Sequence, residues 1–172
     1  APALVADAFM RGERGAPAEP NPYFLDVGTA IEQSVEPAIE GLASHAGPLL
    51  FQLPPLPREM TTGDGGHATI DRLGAFLGAL PRRVGEIAPL YAVELRNAEL
   101  LTPRFIRMLR ETGTRLTIGV HARMPAAARQ SAALRWVSAG AAPPPGESWQ
   151  FCAGTAADAR SAMPRGGPAA PC

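Results

Sequence analysis

Glu94 and Arg96 stand two apart in YAVELRN, the spacing that puts both on one face of an extended strand. A guanidinium in that position can clamp a carboxylate, phosphate or carbonyl oxygen, while the carboxylate beside it takes a proton or orients the bound group. The same pair can equally be an ion pair filling an interior layer, where desolvation consumes much of its attraction. His121 ends LTIGVH and is a candidate acid–base group, because an ordinary imidazole changes charge near neutrality. It can also be a hydrogen-bonded wall residue, or one ligand of a metal set that is incomplete here. Gln52 ends LLFQ and can orient a neighbour or a ligand through its amide; Asn97 and Arg123 lie just past strand ends, within reach of a ligand's edge. The candidate catalytic residues are therefore Glu94 and His121, and the candidate substrate-binding residues are Gln52, Arg96, Asn97 and Arg123. These residues leave the cofactor open.

The elements that carry them recur in order. LLFQLPP (Leu49 to Pro55), YAVELRN (Tyr91 to Asn97) and LTIGVHARM (Leu116 to Met124) are apolar through the middle and polar at the C-terminal end, with helical patterns between them. That is how consecutive strands of a parallel, helix-covered sheet read. Alternation sorts each run into two faces. Leu49, Phe51 and Leu53, then Tyr91, Val93 and Leu95, then Leu116, Ile118 and Val120 form apolar faces suited to helices. Leu50 and Gln52, then Ala92, Glu94 and Arg96, then Thr117, Gly119 and His121 form faces suited to the interior of a barrel.

Residues 1–28 read as loop, because GERGAPAEPNP carries too many breakers for a regular element. A first helix is expected from Thr29, with Glu32 completing a capping box, and Pro37 should kink it or begin a new helix. A second is expected from about Thr69 to Leu80, with Ile70, Leu73, Phe76 and Leu77 on one face. A third has Thr102 as N-cap, Pro103 at its first position and Gly113 past its end. A fourth follows Pro125 and ends near Gly140. The α-β-α-β-α-β-α order implies a parallel sheet. TGDGGH lacks the spacing of a dinucleotide loop, and no phosphate-binding G-x-x-x-x-G-K-[ST] occurs. Residues 140–172 are low in complexity, rich in Ala, Pro and Gly, and expected to be disordered. The chain thus divides into a folded domain over 1–139 and a tail over 140–172.

Composition excludes several classes. Acidic and basic residues balance at 16 each, so nothing steers the whole chain toward nucleic acid or a membrane. Every basic residue is Arg, and without Lys there is no primary side-chain amine for Schiff-base catalysis. Cys152 and Cys172 match no metal-ligand spacing. No apolar run is long enough to span a bilayer and no signal sequence is evident, so a cytoplasmic protein is expected. Arg82–Arg83 and Arg104, Arg107 and Arg110 give only a weak basic rim for nucleic acid. His45, at a helix end, and His67, in a loop, are expected to be solvated, and the prolines of LPPLP to shape a loop.

GPLLFQLPP, RLGAFLGALP, YAVELRN with the following ELL, and VHARMP together resemble the YecE-like family, catalogued as domain of unknown function seventy-two. NPYFLDVGTAIEQSVEPAIEGL resembles the helix that precedes the family's LLFQLPP strand. The resemblance covers about Ala1 to Arg129. It implies a partial TIM (β/α)8 barrel holding about strands four to six with their helices, and it implies no particular reaction. The family's first three strands lack counterparts, and nothing after Gly140 resembles its last two. The expectation is a piece of such a barrel, its tail either a frameshifted reading or a divergent terminus. The parent protein is expected to be an acid–base or hydrolytic enzyme acting on a polar or anionic small molecule at the barrel's C-terminal mouth. The alternatives are a non-catalytic protein binding a small ligand or nucleic acid, or an inactive gene product.

Overall fold

The computed structural model describes residues 3–10, 19–120, 124–135 and 152–153. Its centre is a parallel sheet built from β3 (Leu49–Leu53), β4 (Tyr91–Leu95), β5 (Arg115–Gly119) and the two-residue β6 (Cys152–Ala153), in that spatial order. β1 (Phe9–Met10) and β2 (Glu19–Pro20) form a separate antiparallel ladder. The helices are α1 (Ala3–Ala6), α2 (Val27–Ala30), α3 (Glu36–Leu42), α4 (Gly63–Ala79), α5 (Pro103–Glu111) and α6 (Ala127–Ala133). The expected α/β class and parallel pairing are borne out.

The apolar faces of β3 and β4 do what alternation requires. Phe51, Leu53, Tyr91, Val93 and Leu95 are all buried in one core with Leu73, Phe76 and Leu77 of α4 and Phe105, Ile106 and Leu109 of α5. Each such side chain contributes roughly 1.5–3 kcal/mol by leaving water. Phe51 and Phe76 meet edge to face at 5.1 Å, an arrangement the ring quadrupoles favour. The corresponding face of β5 is less well covered. Leu116 and Ile118 are half-buried, and Val120 is 64% exposed.

α5 follows its sequence signals. Thr102 Oγ1 accepts from the Phe105 N–H at 3.3 Å, Pro103 opens the helix, and Gly113 closes it at φ 65°. α4 departs from expectation by starting at Gly63, six residues before Thr69. Glycines normally argue against helix, yet here the first turn lies against a 3-10 turn at Arg58–Met60. A Cβ on Gly65 would run into the Glu59 carbonyl, and one on Gly66 into that of Thr61. The Thr69 hydroxyl then donates to the Met60 carbonyl at 2.7 Å and ties the turn to the helix.

The first long helix also begins earlier than Thr29. Asp26 is its N-cap, accepting from the Thr29 N–H at 2.7 Å; that hydrogen bond holds the Asp26 carboxyl below its ordinary range. The backbone then widens into a π-helical turn over Ile31–Val35 before α3 resumes, with Pro37 in its first turn. Pro37 thus lies just past a distortion of one continuous helix and does not begin a separate one.

Residues before 28 are not all loop. Asn21, itself buried, donates from Nδ2 to the carbonyls of Leu4 at 2.6 Å and Asp7 at 2.7 Å, and Leu25 N–H bonds Val5 O at 2.9 Å. One side-chain amide thus gathers α1 and the β1–β2 ladder and sets Val5 and Phe24 into the core. Breaker-rich sequence concealed this because its partners are distant backbone groups. Within the segment expected to be disordered, Cys152–Ala153 pairs in parallel with Ile118–Gly119. No helix among the described residues is long and apolar enough to cross a membrane.

Candidate functional site

The register brings Gln52 of β3, Glu94 of β4 and Thr117 of β5 side by side on the face opposite α4 and α5. Gln52 Nε2 donates to Glu94 Oε1 at 3.0 Å, and Arg96 Nε donates to the same oxygen at 3.1 Å. The Glu94 side chain is 8% exposed and that of Arg96 21%. Burying a carboxylate to that degree requires a charged partner, and Arg96 supplies it. Glu94 Oε2 and the terminal NH2 groups of Arg96 carry no hydrogen bond among the described residues. A Cβ on Gly119 would run into the Met124 thioether, whereas Glu94 Cδ, at 3.7 Å, would be in ordinary contact.

Arg96 and Gln52 open onto a cavity of about 250 Å3, lined also by Ala3, Ala6, Asp7, Pro54 and Pro55. It sits where β3 and β4 end, the end of a parallel sheet at which ligands bind. Asp7 had no signal in the sequence, because only the docking of α1 brings it there.

Asn97 is engaged elsewhere. Its Oδ1 accepts from the Leu56 N–H at 2.8 Å and its Nδ2 donates to the Leu56 carbonyl at 3.2 Å. The side chain therefore pins the loop after β3, including the Pro54–Pro55 wall of the cavity. Gln130 of α6 does the same after β5. Gln130 accepts from Gly119 N–H at 3.1 Å and donates to the carbonyls of Gly119 at 2.8 Å and Pro125 at 2.5 Å. Sequence reading passed over Gln130, which looks like a surface residue of an Ala-rich helix and is in fact buried. His121 and Arg123 lie outside the described residues.

Other candidates are not part of this cluster. His45 is exposed in a 3-10 turn; His67 is exposed in α4, not in a loop. A larger cavity of about 400 Å3 lies between α4 and α5, lined by Asp71, Gly74, Arg104, Arg107, Met108 and others. There Arg104 grips Asp71 with two bonds of 2.7 Å. Arg82 bonds the Thr112 carbonyl and Arg83 pairs with Glu86, so much of the basic rim is committed within the chain. Among the described residues no group of three or more His, Cys, Asp and Glu could hold a metal.

The model of the family described as Protein of unknown function DUF72 matches residues 22–162. The chain belongs to the DUF72 family. DUF72 is the YecE-like family, so the resemblance carried by LLFQLPP and YAVELRN is borne out. The match spans every strand of the parallel sheet of this DUF72 chain and reaches into residues 140–162, beyond the stretch where the sequence itself suggested it. No curated protein and no solved structure matches the DUF72 chain significantly.

Proposed function

We propose that this sheet is part of a (β/α)8 barrel whose C-terminal mouth binds a polar or anionic small molecule and acts on it by acid–base or hydrolytic chemistry. The barrel reading is supported by the division of faces: the one bearing Gln52, Glu94 and Thr117 is the one further strands would enclose. The binding reading rests on a single observation. Arg96 gives Glu94 only its Nε, and its terminal NH2 groups have no partner among the described residues although the side chain lines a cavity at the strand ends. A guanidinium held by one bond and open at its fork is arranged to receive an oxyanion in bidentate fashion.

In this reading Arg96 fixes an anionic or developing oxyanionic oxygen. Glu94, held by Gln52 and Arg96 through Oε1, takes a proton at Oε2 from water or a ligand hydroxyl. His121, two residues past β5, gives its own proton to the departing or product oxygen, and exchange with water resets both groups. A non-catalytic binding protein would use the same Arg96 fork and lack the proton transfer; nucleic acid is the weaker ligand, because the rim arginines are largely occupied.

The test is calorimetric titration of the chain with inorganic phosphate and with acetate. Wild type is expected to bind, Arg96→Ala to lose binding, and Arg96→Lys to keep part of it. Unchanged binding in Arg96→Ala together with a stability loss of several kcal/mol would make the pair structural. Where turnover is found, a rate that titrates near about pH 6–7 and loses that dependence in His121→Gln assigns the proton transfer to His121. An unchanged profile removes it.

A further inference from the structure

We infer that the ligand of this mouth is a small hydroxylated anion, with a carboxylate or phosphate and a hydroxyl close by on one short skeleton. The inference rests on the reading of Arg96 as an anion clamp and adds the chemistry of its neighbour, Gln52.

The Gln52 amide has a dictated orientation. Glu94 Oε1 already accepts from Arg96, and a carboxylate oxygen only accepts, so Gln52 must present its NH2 to Glu94. Its carbonyl is thereby turned away from the pair. Gln52 is exposed, and its Oε1 has no hydrogen-bond partner among the described residues. The cavity therefore places an obligatory acceptor beside an open guanidinium fork. Asp7 lines the same space. A bare anion would satisfy Arg96 and face Gln52 Oε1 with nothing to donate. An uncharged polyol would satisfy Gln52 and leave the fork empty. An anion carrying a hydroxyl satisfies both.

Size narrows the class further. About 250 Å3 is at the small end of ligand cavities, which suits a small molecule and not a large one. Pro54 and Pro55 form a wall of fixed φ, and Asn97 pins the loop behind them, so the cavity has little freedom to widen.

The experiment is titration of the full chain with acetate against glycolate, inorganic phosphate against glycerol phosphate, and glycerol alone. The hydroxylated member of at least one pair is expected to bind about tenfold tighter than its bare partner, the worth of one well-made hydrogen bond, and glycerol not at all. Whichever pair shows the difference identifies the anion as carboxylate or phosphate. Gln52→Met is expected to collapse that ratio toward one, and Arg96→Ala to weaken both members of the pair. Equal affinities within both pairs, or glycerol binding as well as glycolate, would overturn the hydroxylated-anion inference while leaving the anion clamp standing. No binding of any probe to the wild type would overturn both.

Discussion

The side-chain amide of Asn97 holds Leu56 by both its backbone N–H and its carbonyl, at 2.8 and 3.2 Å. The pairing imitates one rung of a β-ladder between segments 41 residues apart. Both groups of Leu56 would otherwise need partners in a loop whose side chain is buried. Asn97→Ala is expected to destabilise the fold by about 1–3 kcal/mol, because two backbone groups lose their partners. Asn97→Asp keeps the acceptor and loses the donor, and should fall between. Denaturant midpoints check the order.

Arg96 and Glu94 are expected to separate binding from stability. Arg96 is partly open to solvent, so Arg96→Ala should cost less than the roughly 3–5 kcal/mol seen when a fully buried pair is broken. Glu94→Gln removes the charge that Arg96 answers and should free the guanidinium to bind anions more tightly, while any proton transfer at Glu94 is lost. Parallel calorimetry and chemical unfolding distinguish these effects.

Gln130 makes three hydrogen bonds from a buried position, two to Gly119 and one to Pro125. These residues flank the segment carrying His121 and Arg123. Gln130→Leu fills similar volume without the amide and strands three backbone groups, so a loss of about 2–4 kcal/mol is expected. Gln130→Glu keeps one acceptor oxygen and loses both donated bonds. Hydrogen exchange at the Gly119 amide should rise sharply in Gln130→Leu and much less in Gln130→Glu, which keeps its acceptor.

Tyr91 donates its hydroxyl to the Pro81 carbonyl at 2.8 Å, and burial pushes its phenol up to about 12, with the Arg82 charge pulling modestly the other way. The folded value lies above the unfolded one of about 10, so the phenol favours the folded state fully below pH 10. That contribution is lost as pH rises from about 10 through about 12. Alkaline unfolding followed by phenolate absorbance should show this loss, and Tyr91→Phe should remove it.

How much of this could be read from sequence depended on where each residue finds its partner. Phe51, Val93 and Leu95 declare their face by alternation, and Thr102, Pro103 and Gly113 declare a helix by local chemistry. Gln52, Glu94 and Arg96 could be assigned to one face because strand geometry alone decides it. Asn97, Gln130, Asn21 and Asp7 could not, because each acts through groups that only the folded chain brings near. The start of α4 failed for a different reason. Gly65 and Gly66 count against a helix in any propensity scale, and only the approach of the Glu59 and Thr61 carbonyls reveals why glycine is required.

The π-helical turn at Ile31–Val35 bears on how this chain tolerates changes in length. A π turn holds one more residue than an α turn, so it behaves as an insertion accommodated inside a continuous helix. Val35 and Ile39, on either side of its end, both face the core. Removing one exposed residue from the turn, such as Gln33, should let the backbone revert to ordinary α geometry with α2 and α3 each keeping its buried side. The same deletion inside α4 would rotate Phe76 and Leu77 out of the core. A single-residue deletion scan across the two helices should therefore find survivors clustered in 31–35 and almost none between 66 and 79, marking that turn as the place where relatives of this chain can differ in length.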